Sequence, residues 1–145
     1  MIADSVMLQK NILLVDDDSI ANFLIEKIVQ STGLAKNIYK ALNGKEALQV
    51  FEEHSNLALP VPEVVLLDLN MPIMNGFEFL QAYNKLHFEE KNRPLIILVT
   101  SSNNPTDIER AKQLGIKYYL TKPISADTIK GILLKEFEKK SERAN

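Results

Sequence analysis

The stretch Val64-Val65-Leu66-Leu67-Asp68-Leu69-Asn70-Met71-Pro72 constrains this chain most. Four apolar residues run together without polar alternation. That is the pattern of a strand covered on both faces, as in a parallel sheet flanked by helices. The run ends on an acid, and Asn75-Gly76 then opens a helix. Open α/β sheets bind ligands outside the carboxyl ends of their strands, so a carboxylate at that point is placed for chemistry.

The rest of the chain repeats this rhythm. Ile12-Leu13-Leu14-Val15 is a short buried strand ending on Asp16-Asp17-Asp18, and Leu95 to Val99 is another apolar run, ending on Thr100-Ser101-Ser102. Ile116 to Leu120 ends on Thr121-Lys122-Pro123, and Lys36 to Ala41 is a weaker, edge-like strand. Between them lie helical stripes. Ser19 is an N-cap before Ala21, Leu24, Ile25, Ile28 and Val29, a helix that stops at Gly33. Asn43 with Glu46 resembles a capping box before Ala47, Leu48, Val50 and Phe51. Phe79, Leu80, Tyr83 and Leu86 form the helix after Gly76. Asn104 and Pro105 open a helix with Ile108, Ala111 and Leu114 that closes at Gly115. Ser125 caps a last helix carrying Ile129, Ile132, Leu133, Glu136 and Phe137. Alternation of this kind predicts an α/β fold, a doubly wound five-stranded parallel sheet with helices on both faces. Residues 1–10 read as a flexible extension, 11–138 as one domain and 139–145 as a polar tail.

With 145 residues the chain has room for one domain and a sizeable core. A net charge of -2 gives no bulk attraction to nucleic acid or anionic membranes. The absence of cysteine excludes disulfides, thiolate metal sites and cysteine nucleophiles. The first residues lack the basic start and apolar core of a signal peptide. No apolar run reaches the roughly 20 residues needed to span a bilayer. The expected location is the cytoplasm.

In a parallel sheet all carboxyl ends lie on one edge. Asp16-Asp17-Asp18, Asp68, Thr100 and Lys122 therefore converge although they are far apart in the chain. Clustered carboxylates repel, which raises the pKa of some of them. A hard divalent cation relieves the repulsion, and Mg2+ prefers a few carboxylates, waters and a phosphate oxygen. Lys122 adds a positive charge and Thr100 a hydroxyl. This donor set suits a phosphoryl group approaching a carboxylate, with Asp68 as its acceptor.

These residues resemble the receiver domain of two-component response regulators. The matching pieces are Leu14-Val15-Asp16-Asp17, Leu67-Asp68-Leu69-Asn70-Met71-Pro72 with Met74-Asn75-Gly76, Val99-Thr100-Ser101, and Tyr119-Leu120-Thr121-Lys122-Pro123, from about Asn11 to about Phe137. The resemblance implies a flavodoxin-like sheet of order 2-1-3-4-5. It implies that Asp68 takes phosphoryl from a phosphohistidine of a sensor histidine kinase or histidine phosphotransfer protein. Asp17 would ligate Mg2+ directly, Asp16 through water, and the Asn70 backbone carbonyl would complete the protein ligands. Lys122 would pair with Asp68 and then with the phosphoryl group. Thr100 would bond a phosphoryl oxygen on activation, with Tyr119 swinging inward as the switch aromatic. Ser101 is small, as access to the acceptor requires, and Asn70 with Ser102 would tune the lifetime of the phosphorylated state. Lys122-Pro123 would be a cis peptide. The resemblance further implies a single-domain messenger, a monomer that catalyses its own phosphorylation and dephosphorylation. Its downstream protein would meet the last two helices and last strand, with no direct nucleic-acid or membrane contact.

Two other functions fit parts of the pattern. Asp16 and Asp18 have the spacing of the nucleophile and acid of haloacid-dehalogenase-type phosphatases, but Ser19-Ile20 follows where that family has glycine and threonine. A receiver that binds partners without phosphorylation is the other. Blander readings stand beside these: the acids at 16–18 as a helix cap, Asn75-Gly76 as a hairpin turn, Tyr118 and Tyr119 both as core, and His54 and His87 as solvated surface residues.

Overall fold

The computed structural model describes residues 8–86 and 93–144, with 139–144 as backbone alone. Its strands are β1 (Lys10–Val15), β2 (Ala35–Ala41), β3 (Val64–Leu67), β4 (Leu95–Thr100) and β5 (Tyr118–Thr121). Its helices are α1 (Ser19–Ser31), α2 (Gly44–Asn56), α3 (Gly76–Tyr83), α4 (Pro105–Gln113) and α5 (Ala126–Ala144). All strand pairs are parallel, in the order β2-β1-β3-β4-β5. The chain winds from β1 out to β2 and returns past β1 to β3, so the winding reverses between β1 and β3. That switch point is where such sheets open a crevice at their carboxyl edge.

The central strands are buried because side chains on both faces meet helices. Leu13, Val15, Val65, Leu67 and Leu98 face a core built with Phe51, Phe79, Leu80 and Tyr83 from α2 and α3 and Ala111 from α4. Ile12, Leu14, Val64, Leu66, Ile97 and Val99 face Ile25 and Val29 of α1 and Ile129, Leu133 and Phe137 of α5. The uninterrupted apolar runs of β1, β3 and β4 follow from this two-sided burial. β2 is only partly buried, as its edge position requires.

Caps decide several boundaries, and some differ from expectation. Asp18, not Ser19, caps α1: its carboxylate accepts the Ile20 and Ala21 N–H groups. Asn43 caps α2 through the Glu46 N–H, but the Glu46 carboxylate returns to the Leu42 N–H and to the Asn43 side chain rather than the Asn43 N–H. The reciprocal box forms at α3 instead, between Asn75 and Glu78. Asn104 with Pro105 opens α4, and Gly115 follows its end at φ +88°, the left-handed residue that ends such helices.

Leu24 is 56% exposed, so it lies off the core face that Asn22, Ile25 and Val29 form. Leu86 lies beyond α3, which ends at Tyr83 with Asn84 as its cap. β5 begins at Tyr118 rather than Ile116. β1 starts at Lys10, inside the stretch read as an extension, and the α5 backbone runs on to Ala144, within the stretch read as a tail. Residues 1–7 and His87 lie outside the described residues. His54 is not a free surface residue: Nδ1 lies 2.8 Å from the Pro60 carbonyl oxygen, and the ring packs edge-on against Tyr39. Among the described residues, no helix is long and apolar enough to cross a membrane.

Candidate functional site

Each strand end delivers its polar residue to one place by continuing the ladder for a residue. The Asp16 N–H bonds the Ala41 carbonyl, the Asp68 N–H bonds the Val15 carbonyl, and the Lys122 N–H bonds the Thr100 carbonyl. The carboxylates of Asp16, Asp17 and Asp68 then offer oxygens that all lie within 4.8 Å of one another. Asp16 and Asp68 are buried while Asp17 is exposed.

Lys122 Nζ lies 2.6 Å from Asp16 Oδ2 and 3.6 Å from Asp68 Oδ2. The ammonium reaches the Asp68 carboxylate, as expected, but its shorter contact is with Asp16. Asp68 Oδ1 accepts the Leu69 N–H at 2.7 Å and the Asn70 N–H at 3.5 Å, which leaves Oδ2 turned toward Lys122. Burial pushes the Asp68 carboxyl above its ordinary range. Lys122 pulls it back, Asp16 raises it again, and the Thr100 hydroxyl and Asn70 N–H oppose the shift without cancelling it. Burial works against the Lys122 ammonium, but its bond to Asp16 and the charges of Asp68 and Asp16 hold its pKa above the ordinary value.

Asp18 belongs to the cap of α1, which separates it from the pair before it. Its N–H donates to Asp16 Oδ1 at 2.9 Å, so the turn that starts α1 also steadies Asp16. Thr100 is fully buried, and its hydroxyl oxygen accepts the Ser102 N–H. Ser101 and Asn70 are exposed. The Ser102 hydroxyl donates to Asp107 at 2.7 Å, and the Tyr119 hydroxyl donates to the Ser102 carbonyl at 2.8 Å. Tyr119 is half-buried against the α2–α3 core, whereas Tyr118 faces the other layer and donates to Glu136. The Lys122-Pro123 bond is cis.

Three carboxylates against one ammonium form a site with more negative charge than its own residues neutralise. All its donors are oxygens, and one acid faces solvent, which suits a hard divalent cation that keeps part of its water shell. Two further residues position the site without taking part in its chemistry. A Cβ at Gly76 would lie 2.5 Å from the Asp68 carbonyl oxygen, so only glycine lets α3 start beneath the acceptor. Asn22 binds the Asp16 carbonyl from within α1; its signal was an amide spaced with Ile25 and Val29 on the core face.

The response regulator receiver domain model matches residues 12–134. The chain belongs to the response regulator receiver family. Receiver domains are signalling switches of two-component systems that bind Mg2+ at an acidic site, and not metabolic enzymes. The receiver is 35% identical over 118 residues to a protein-glutamate methylesterase/protein-glutamine glutaminase of Treponema denticola, covering 81% of this chain but 29% of that protein. It is 30% identical over 118 residues to Protein PilH of Pseudomonas aeruginosa, covering 81% of this chain and 89% of PilH. A two component response regulator from Cytophaga hutchinsonii superposes with a TM-score of 0.77 at 28% identity, covering 88% of this receiver and 96% of that structure. The flavodoxin-like sheet order that the resemblance implied is the order found.

Proposed function

We propose that this receiver takes a phosphoryl group from a phosphohistidine onto Asp68 and carries the signal to a partner protein. The observation that bears most weight is the buried Asp68 carboxylate, with Lys122 on one side and the Asp16 and Asp17 carboxylates within reach. In this reading Oδ2 forms the new bond to phosphorus, the phosphorus–nitrogen bond breaks, and its electron pair leaves with the imidazole. The backbone N–H groups of Leu69 and Asn70 hold Oδ1 and fix the carboxylate plane. Lys122 offsets the negative charge brought onto Oδ2, and Thr100 offers its hydroxyl to the incoming oxygens. Asp17, Asp68 and the Asn70 carbonyl would hold Mg2+, with Asp16 acting through water, and the ion would supply neutralisation between two anions. The acyl phosphate is labile, so the signal is lost by hydrolysis. In this reading Ser101, Asn70 and Ser102 set access to the acceptor and the lifetime of the phosphorylated state.

The switch in this reading runs from Thr100 through Ser102 to Tyr119, which the hydrogen bonds already link. Its output face is α4, β5 and α5. The donor is a sensor histidine kinase or histidine phosphotransfer protein, and the receiver works as a monomer in the cytoplasm. A free-standing messenger is supported by relatives such as PilH, of which the chain spans 89%. The phosphatase alternative loses its acid, because Asp18 is engaged in capping α1.

Incubation with acetyl phosphate and Mg2+ tests the reading. Intact-mass spectrometry should show the gain of one phosphoryl group, abolished in Asp68→Asn. A wild-type protein that gains none would favour a receiver that binds partners unphosphorylated.

A further inference from the structure

The core face of α1 holds one amide among apolar residues. Asn22 is 2% exposed, and its Nδ2 donates to the Asp16 carbonyl at 2.9 Å and to the Ala41 carbonyl at 3.4 Å. Ala41 also accepts the Asp16 N–H at 3.1 Å. Both polar ends of the Asp16 backbone are thus fastened where β1 and β2 part. The Oδ1 of Asn22 is buried without a hydrogen-bond partner among the described residues. A buried acceptor left unpaired is destabilising, because it has given up water and gained no partner. A leucine of similar size would avoid that cost and suit the stripe of Ile25 and Val29 better. The amide therefore works for the carbonyls it holds and not for the core.

The Asp16 carbonyl belongs to the peptide that leads into Asp17. Fixing it fixes the plane from which the Asp17 side chain departs. The Asp17 carboxylate has no hydrogen bond or ion pair of its own among the described residues, so its direction depends on that backbone. Resting on the reading of Asp17 as a Mg2+ ligand, we infer that Asn22 is a positioning residue whose amide clamps the β1–α1 turn and holds the Asp17 carboxylate ready for the cation. Outer groups that orient metal ligands act in this way, and their loss typically weakens metal affinity about 10–100-fold.

The test compares wild type with Asn22→Leu, which keeps volume and removes the donor, and with Asn22→Ala should the leucine variant not fold. Mg2+ is titrated against the amide signals in heteronuclear NMR, and hydrogen exchange of the Asp16 amide is followed without Mg2+. The expected result is an Mg2+ dissociation constant raised about tenfold and faster Asp16 exchange, with the α3 and α4 signals unmoved. Ile25→Val, a core change on the same face, should leave the Mg2+ affinity as it is. A folded Asn22 variant that binds Mg2+ within twofold of wild type overturns the inference, as does an equal loss in Ile25→Val. If wild type itself shows no Mg2+-dependent shifts, the metal reading falls and takes the clamp's purpose with it.

Discussion

Asp68 is a carboxylate that the fold tolerates rather than favours. Its folded-state pKa lies above the ordinary 3.8, chiefly through burial, so the folded protein binds this proton more readily than the unfolded chain. Below pH 3.8 both states are protonated and Asp68 exerts no penalty. As pH rises through the window up to the raised value, the folded state must ionise a buried group, and stability falls until that value is passed. Asp68→Asn removes the charge, while Lys122 keeps its shorter contact to Asp16. The variant should therefore be more stable than wild type in urea unfolding at pH 7 without Mg2+, and the advantage should vanish by about pH 3.5. An advantage that persists at acid pH would mean that something other than the charge is responsible.

At the scale of elements, the start of α3 is pressed against the end of β3. Gly76 donates its N–H to the Leu69 carbonyl, and a Cβ there would meet the Asp68 carbonyl oxygen at 2.5 Å and Leu69 Cα at 2.9 Å, both backbone atoms that cannot swing aside. Gly76→Ala is expected to cost about 1–3 kcal/mol and to displace the acceptor, read as slower phosphorylation by acetyl phosphate. Gly131, inside α5, has nothing within 4 Å of a built Cβ. Gly131→Ala should instead stabilise the protein by roughly 0.4–1 kcal/mol, because the freer glycine loses more entropy on folding. Opposite signs for the same substitution, compared by chemical denaturation, would separate the crowded site from an ordinary helix.

The whole molecule carries an electrostatic imbalance at one edge, and a bound cation should be felt as global stability. A ligand that binds only the folded state adds RT ln(1 + [L]/Kd), about 2.7 kcal/mol at a hundredfold excess over Kd. For a chain of this size that corresponds to a rise of about 5–10 °C in melting temperature. Calorimetry with increasing Mg2+ should show the rise in wild type and little of it in Asp17→Asn. An equal response in both would remove Asp17 from the site.

Much of this was legible in the residues themselves. The unbroken apolar runs of β1, β3 and β4 announce strands covered on both sides, and strands that alternate with helices must be parallel and share a carboxyl edge. Asp16, Asp17, Asp68, Thr100 and Lys122 were bound to meet once that class was fixed, because each ends a run. Helical spacing, however, defines an apolar face only to within a rotation, so it chose Leu24 for the core where packing chose Asn22. Three acids in a row do not say which one caps a helix; the start of α1 took Asp18 and left the pair. Nor can spacing say which carboxylate Lys122 approaches more closely across 106 positions of chain, or that α3 begins so near Asp68 that only glycine fits. Local chemistry in the sequence chose the elements and their ends. Side-chain orientations and distances within the site depend on how those elements press together, and only the tertiary structure decided them.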